Sequence, residues 1–301
     1  MKSEQSDFFK HLFGGEKSLP KSEKKILVLS YSQISTYQQC SLKYKFQYME
    51  KRPSKPSPHL DFGNTIHNTL KEFHQNFDLR KASPFRSNPA PKGTDASDEY
   101  WGTSNGVNLE DLLELYEKNW VAEGYESREQ EEEFRREGER MLKNYYQTAI
   151  KNPNLPLYLE ESFKFRIGDC EIWGKIDRID RLPDGEWEII DYKAGKRRIK
   201  QVGLEADLNL LEIDESFQLS LYYLGCKNKF EKVPEKVSLY YLKYNQKISA
   251  ARRPEQLRDV ERIVDQVASQ IREKKFEPKK GPLCPWCSYK ELCPAFKEAL
   301  L

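Results

Sequence analysis

The sequence "IIDYKAG", residues 189–195, sets an acid, an aromatic residue, a lysine and a glycine directly behind a short apolar run. Residues two apart in a β-strand project from the same face, so Asp191 and Lys193 are predicted to point together while Tyr192 points away. Such a pair is either an exposed ion pair, which contributes little to stability, or part of a reactive centre. The surrounding sequence decides between these two interpretations.

The segments around this stretch alternate with a period of two. From about Leu157, the sequences "YLEESFKFRI", "CEIWGKIDRIDRL" and "EWEIIDYKA" are predicted to form three strands. The turn "PDG", residues 183–185, lies between the second and third of them and predicts an antiparallel hairpin. Asp177 is about as far before this turn as Asp191 is after it, so we expect the two carboxylates to approach each other across the hairpin.

Two neighbouring carboxylates suit Mg²⁺ or Mn²⁺, since these hard cations prefer carboxylate and water oxygens. The ion would also need an open position for a phosphate oxygen of a substrate. Lys193 beside the ion would orient or help to deprotonate an attacking water, or stabilise charge that builds on phosphorus. The D-x-K pattern is short, so its spacing by itself favours neither this site nor an exposed ion pair.

Helical patterns surround these strands and indicate an α/β protein. A short strand-like run leads to Ser32, which is predicted to cap the first helix. A second helix is predicted from about Phe62, and a further strand in "KVSLYYLKYN". The remaining predicted helices are "LEDLLELYEKNWVAEG", "SREQEEEFRREGERMLKNYYQTAI", "ESFQLSLYYLGCKN" and "PEQLRDVERIVDQVASQIREKKF".

The composition predicts a single domain preceded by a polar leader. Residues 1–25 are expected to be flexible and 26–301 to form one domain, with a long surface loop over 81–108 and a helical insertion over 109–156. The formal charge of +2 neither indicates nor excludes a nucleic-acid partner. The sequence shows no signal peptide and no apolar run long enough to span a membrane, so we expect a cytoplasmic protein.

Four short motifs together resemble the PD-(D/E)XK nuclease superfamily, in its RecB-like branch. They are "FGNTIH" (62–67), "GKIDRID" (174–180), "DYKAG" (191–195) and "QLSLY" (218–222), in the family's order along the chain. The resemblance implies a restriction-endonuclease-like core, in which helices flank a central mixed sheet. Each motif is weak by itself, but all four in order are specific.

The resemblance also implies a set of site residues. His67, Asp177 and Asp191 would be ligands of a Mg²⁺ or Mn²⁺ ion, together with the backbone carbonyl of Tyr192, and Lys193 would be the catalytic lysine. Gln218 and Tyr222 match the branch's Q-x-x-x-Y pattern. Four residues apart on a helix, they share one face, from which they would contact DNA or steady the lysine. An accessory acid is expected at Glu161, although Glu160 stands beside it; the alternative is that either residue only caps a strand.

Six cysteines in a chain expected to be cytoplasmic indicate metal or redox chemistry. "CPWCSYKELCP" places three of them close together, a remote fourth stands at Cys40, and Cys170 and Cys226 are expected to be small buried hydrophobes. The four candidate ligands are Cys40, Cys284, Cys287 and Cys293. Four thiolates suit either structural zinc or an iron–sulfur cluster.

The resemblance narrows that choice to iron and sulfur. CRISPR-associated RecB-type exonucleases and the nuclease domain of AddB share the remote cysteine and the C-terminal triplet, which implies a 4Fe-4S cluster that staples residues 281–301 to the first helix. In that family proline commonly follows the first cysteine, whereas this sequence has Ser41 there. The change leaves the ligand itself untouched.

The predicted function is a metal-dependent DNA exonuclease that acts on single strands or DNA ends. A basic loop is predicted to track the DNA backbone through Lys196, Arg197, Arg198 and Lys200. A group of aromatic residues is expected to pack the first helices rather than to stack on bases: Tyr31, Tyr37, Tyr44, Phe46 and Tyr48.

A DNA-binding scaffold subunit with a vestigial site is the alternative, in a recombination or spacer-acquisition complex. The sequence contains no Walker motif, so a helicase activity would come from a partner protein. Possible partners are a helicase or CRISPR adaptation proteins, and the expected setting is DNA repair, recombination or CRISPR adaptation.

Overall fold

A computed structural model describes residues 26–76, 108–151, 155–195 and 216–297 of the chain. Six strands form one mixed sheet, in the order β1-β3-β4-β5-β6 with β2 paired to β3. The strands are β1 (Leu27–Leu29), β2 (Leu155–Ile167), β3 (Cys170–Arg181), β4 (Trp187–Lys193), β5 (Lys236–Tyr241) and β6 (Gln246–Ala250). The predicted α/β architecture with a central mixed sheet is confirmed.

Helices cover both faces of this sheet. They are α1 (Tyr31–Gln39), α2 (Ser41–Tyr44), α3 (Pro58–Asn76), α4 (Leu109–Lys118), α5 (Arg128–Lys151), α6 (Phe217–Phe230), α7 (Pro254–Arg272) and α8 (Pro294–Lys297). A π-helical turn, Lys45–Met49, continues α2, and short 3₁₀ turns follow β5 and occupy the cysteine-rich segment. None of the described helices is both long and apolar enough to cross a membrane.

Two apolar cores lie on opposite faces of the sheet. The larger core packs buried residues of α1, α6 and α7, such as Ile34, Leu221 and Val264, against β2, β3 and β5. The second core packs α3, α4 and α5 against β4 and β5, with Ile190 and Tyr192 pointing into it. Neighbouring residues of β4 thus face different cores, as the period of two predicts.

The hairpin of β3 and β4 was predicted correctly. Arg181 pairs with Trp187 across the turn, and the antiparallel pairing runs back to Arg178 and Ile190. The next residues beyond this pair, Asp177 and Asp191, therefore stand opposite each other, as the predicted approach of the two carboxylates requires.

Strand β3 carries β2 along one edge and two different strands along the other. On that second edge β1 pairs in parallel with residues 170–172, and β4 pairs antiparallel with residues 178–181. Among the described strands, none pairs with positions 173–177 on this edge. The sheet therefore opens between β1 and β4, and this opening positions the candidate site.

Three predictions about local structure need correction. Ser30, not Ser32, caps α1, because its hydroxyl accepts from the backbone N–H of Gln33 while the Gln33 side chain accepts from the Ser30 N–H. The strand predicted over 236–245 ends at Tyr241 and turns into a 3₁₀ helix. The edge strand β6 was not predicted, since "QKISA" carries too few apolar residues to show a strand pattern.

Candidate active site

Three side chains from three elements meet at the opening in the sheet. His67 comes from α3, Glu160 from β2 and Asp177 from β3, and their candidate ligand atoms all lie within 4.8 Å of one another. His67 Nδ1 is 3.4 Å from Asp177 Oδ2. The same Asp177 oxygen accepts a hydrogen bond of 2.9 Å from the backbone N–H of Tyr192 on β4. Asp177 thus joins β3, β4 and α3 at one point.

Glu160 reaches the site because the backbone of β2 is irregular there. Its φ is +52°, a conformation that residues other than glycine rarely adopt and that is common at functional sites. Glu160 also pairs with Lys175 of β3. The prediction of an accessory acid at Glu161 is therefore wrong: Glu160 takes that place, and Glu161 pairs instead with Lys229 of α6.

The donor set fits one small divalent cation. Around Mg²⁺ bound at about 2.1 Å, neighbouring ligand atoms stand about 3.0 Å apart and opposite ones about 4.2 Å apart. The spacing between His67, Glu160 and Asp177 is compatible with these values after small side-chain adjustments. Two carboxylates with one imidazole suit Mn²⁺ as well as Mg²⁺.

Asp191 and Lys193 stand beside this group and point together, as predicted. Lys193 Nζ is 2.6 Å from Asp191 Oδ2 and donates a 2.8 Å hydrogen bond to Gln218 Oε1. Gln218 Nε2 in turn donates to the hydroxyl of Tyr222 over 2.7 Å. Asp191 is not within the group of three that share the 4.8 Å spacing. The Q-x-x-x-Y pair therefore steadies the lysine, which is one of its two predicted roles.

The charges of the site act on one another strongly. Burial by itself would lower the pKa of His67, but the carboxylates of Asp177, Asp191 and Glu160 outweigh it and raise that pKa to about 9. Burial raises the pKa of Asp191, and the nearby Lys193 opposes this rise. The carboxylates thus favour a positive charge at the position of His67, and a divalent cation bound there would supply that charge in place of the imidazole proton.

An open cleft of about 620 Å³ gives access to these residues. His67, Glu160 and Asp177 line it together with Gln218 and Tyr222. Its outer walls include the apolar or aromatic side chains of Tyr31, Leu60 and Trp173. The site is therefore a groove that can admit a polymer rather than a closed pocket.

Comparison with known proteins identifies the family. The sequence model of the PD-(D/E)XK nuclease superfamily matches residues 28–294, which include every residue of this candidate site. The chain belongs to the PD-(D/E)XK nuclease superfamily. No curated protein matches the sequence.

Two solved structures resemble this PD-(D/E)XK protein over most of their length. One is SSO0001, with 13% identity and a TM-score of 0.40, over 97% of this chain and 93% of the other. The second is a presumed exonuclease from Eubacterium rectale, with 8% identity and a TM-score of 0.49, over 94% of this chain and 95% of the other.

The reverse side of strands β3 and β4 carries a buried polar network in this PD-(D/E)XK protein. Arg178 donates to both carboxylate oxygens of Asp180, over 2.5 and 2.8 Å. Its Nη1 lies 2.8 Å from His74 Nε2, and it donates to the hydroxyls of Tyr145 and Tyr192 over 3.0 and 3.2 Å. All five side chains are buried.

This network was not predicted from the sequence. Strict alternation along β3 would place Arg178 on the same face as Ile176, but Ile176 packs in the larger core whereas Arg178 contacts Tyr192 of the second core. The side chains change face at Asp177, which is the last residue of β3 before its pairing with β4 begins at Arg178. "GKIDRID" thus contains both a site acid and the residues that support it from behind.

The cysteine-rich tail packs against α2, as the remote Cys40 suggested. Ser41 Oγ donates to the carbonyl of Glu277 over 3.0 Å and accepts from the Glu277 N–H over 2.9 Å. Tyr289 packs on Phe46, in a small cluster that Cys40, Cys287 and Cys293 border. The serine in place of proline therefore adds two hydrogen bonds between the first helices and the tail.

Backbone N–H groups point at two of the candidate sulfur ligands. The N–H of Lys279 donates to Cys40 Sγ over 3.5 Å, and the N–H of Gly281 donates to Cys284 Sγ over 3.2 Å. Cys170 and Cys226 are buried elsewhere, and burial raises the pKa of Cys226 to about 12. These two are small hydrophobes, as predicted.

The remaining predictions have mixed outcomes. Packing was predicted correctly for Tyr37, Tyr44 and Phe46, which are buried, and for Tyr31 and Tyr48, which pack against the larger core; Tyr31 also lines the cleft. The predicted helical insertion contains α4 and α5. The leader 1–25, nearly all of the loop 81–108 and the basic residues Lys196, Arg197, Arg198 and Lys200 lie outside the described residues.

Proposed function

We propose that this protein is a metal-dependent deoxyribonuclease, an exonuclease that hydrolyses phosphodiester bonds in single-stranded DNA or at DNA ends. The observation that carries the proposal is the meeting of His67, Glu160 and Asp177 beside the ion-paired Asp191 and Lys193. Superfamily membership supports the reaction class. The open cleft supports a polymeric substrate.

Each residue has a defined task in this proposal. His67, Glu160 and Asp177 hold Mg²⁺ or Mn²⁺, with Asp191 and the Tyr192 carbonyl as further candidates at its edge. When bound, such an ion polarises a phosphate oxygen and makes a bound water more acidic. Asp177 also keeps β3 and β4 together by accepting the Tyr192 N–H.

Lys193 supplies a positive charge at a fixed place. Asp191 and Gln218 hold its ammonium group from two sides, at 2.6 and 2.8 Å. Tyr222 fixes the Gln218 amide, so the lysine is ordered before substrate arrives. An ordered cation stabilises the charge that develops on the phosphate oxygens without a reorganisation cost.

The test is digestion of end-labelled single- and double-stranded DNA with Mg²⁺ or Mn²⁺. We expect Lys193→Ala to lose cutting by about a hundredfold or more while it still binds DNA. Lys232→Ala is the matched control, since that lysine pairs with Glu186 outside the cleft. A wild-type protein that binds DNA tightly but cuts neither substrate with either metal would refute the nuclease and support a scaffold subunit.

We further propose that Cys40, Cys284, Cys287 and Cys293 hold a 4Fe-4S cluster. The tail packs on the helix that follows Cys40, and two backbone N–H groups point at these sulfurs. Four thiolates suit a structural zinc ion as well as a cluster, and the resemblance of the cysteine pattern to iron–sulfur nucleases favours the cluster.

Visible absorbance after anaerobic purification tests the cluster. We expect a brown protein that loses its colour in Cys40→Ser and keeps it in Cys226→Ala, since Cys226 is a buried hydrophobe in the larger core. Colourless protein with one zinc ion per chain would contradict the proposal. In the cell, we infer, a helicase or CRISPR adaptation proteins supply the DNA end, during repair, recombination or spacer acquisition.

A further inference from the structure

Trp173 is a large apolar side chain that an interior strand leaves in solvent. It lies on β3, which is paired on both edges over parts of its length, yet 47% of the residue is exposed. Its neighbours Ile172 and Ile176 are almost completely buried. A half-exposed indole on a strand inside the sheet is a candidate for ligand contact.

The opening in the sheet explains this exposure. Pairing with β1 stops at Ile172, one residue before Trp173, and pairing with β4 begins only at Arg178. Trp173 therefore faces the cleft that this gap creates. Leu60 of α3 lines the same cleft and is 60% exposed, so two apolar side chains from different elements border it.

The position of Trp173 relative to the site is fixed by the strand itself. It precedes Asp177 by four residues, a distance of about 13 Å along an extended strand. Successive nucleotides of a stacked strand are about 3.4 Å apart, so this distance spans a few nucleotides. Lys175 lies between Trp173 and Asp177 on the cleft wall and carries a positive charge there.

We propose that Trp173 is a stacking platform for an unpaired nucleobase, a few nucleotides away from the bond that is cut. The ligand class is single-stranded nucleic acid, because a base within a duplex is already stacked on both faces and does not offer one to an indole. The proposal rests on the proposed nuclease function and adds the feature that selects single strands or frayed ends. Leu60 extends the apolar surface on the opposite wall.

The experiment measures binding rather than cutting. A fluorescent single-stranded DNA 12-mer and the same sequence as a blunt duplex are titrated with full-length protein carrying Lys193→Ala, in Mg²⁺. Adding Trp173→Ala is expected to weaken single-strand binding by about fivefold to a hundredfold and leave duplex binding within twofold. Trp173→Phe is expected to retain most of the affinity. Tyr244→Ala is the matched control, since Tyr244 is 49% exposed and does not line the cleft.

An abasic scan locates the stacked base. With Trp173 present, one abasic position in the 12-mer is expected to weaken binding, and in Trp173→Ala that position is expected to have no effect. Equal losses on single strand and duplex, an unchanged affinity in Trp173→Ala, or the same scan in both proteins would overturn the proposal. Thermal unfolding of each variant shows whether it is folded. The DNA titration of Trp173→Phe then shows whether an aromatic ring at this position is sufficient for single-strand binding.

The outcomes separate this proposal from the nuclease proposal. Wild-type protein that never cuts DNA, combined with a base-dependent effect of Trp173→Ala, would refute the nuclease and support the stacking platform. Protein that cuts DNA but binds it without regard to Trp173 would refute the platform only. Protein that binds no single-stranded DNA would overturn the platform, and it would overturn the nuclease as well only if it also cuts neither DNA substrate.

Discussion

The buried pair of Arg178 and Asp180 offers a quantitative test of how the strands of the candidate site are supported. Asp180 is completely buried and Arg178 almost so, and the two form a bidentate ion pair. Removing one member of such a pair leaves an uncompensated charge in the interior and costs about 3–5 kcal/mol. We therefore expect Arg178→Met to lower the free energy of unfolding by about that amount.

A second variant checks the physical cause. Arg178→Met combined with Asp180→Leu removes both charges, and we expect it to recover at least half of the loss, because an apolar pair of similar volume needs no charge compensation. It will not recover all of it, since Tyr145, Tyr192 and His74 lose a hydrogen-bond donor.

Urea unfolding measures these free energies of unfolding, provided that their slope against urea concentration is the same in all variants. The matched control is Arg128→Met, which breaks an exposed ion pair with Glu132 and should cost about 1 kcal/mol or less. Arg178→Met as stable as this control would refute the reasoning. So would a double variant no more stable than Arg178→Met.

Further predictions concern pH and glycine packing. Burial and the charge of Arg178 lower the pKa of His74 well below 6.5, so the unfolded chain binds a proton there that the folded one does not. The stability that depends on neutral His74 is present above the unfolded-state pKa of about 6.5 and is lost as the pH falls below it. Between pH 7 and 5.5, His74→Gln should therefore lose about 1 kcal/mol less stability than the wild type, as measured by urea unfolding. Gly174→Ala would put its Cβ 2.4 Å from the Phe163 ring and should cost about 1–3 kcal/mol. Gly63→Ala, inside α3 with nothing within 4 Å, should instead raise the melting temperature through a gain of about 0.5–1 kcal/mol. Equal effects of the two glycine variants, or parallel pH curves for His74→Gln and wild type, would contradict these expectations.

The elements that the sequence predicts best are those with strong local signals. The period of two, together with "PDG", predicted the hairpin of β3 and β4 and hence the approach of Asp177 to β4. The spacing of Gln218 and Tyr222 predicted that they share a helix face, and they are hydrogen-bonded. Local periodicity was sufficient here because each relation lies within one hairpin or one helix.

Long-range and irregular features could not be predicted in this way. Glu160 and Glu161 are adjacent, so alternation places one of them in the cleft without saying which, and a left-handed backbone conformation at Glu160 decides. The change of face at Asp177 depends on where β1 and β4 end along β3. The cap of α1, in contrast, could have been predicted from the sequence, because Gln33 stands three residues after Ser30 and completes a capping box with it.

The central claim is that His67, Glu160 and Asp177 hold one divalent cation. Calorimetric titration of the full chain with Mn²⁺ tests it most directly, when Glu160→Gln is compared with Glu161→Gln. We predict one Mn²⁺ per chain at this site, at least about tenfold weaker binding in Glu160→Gln, and unchanged binding in Glu161→Gln. Binding that is lost in Glu161→Gln and retained in Glu160→Gln, or no Mn²⁺ binding by the wild-type chain, would contradict the account.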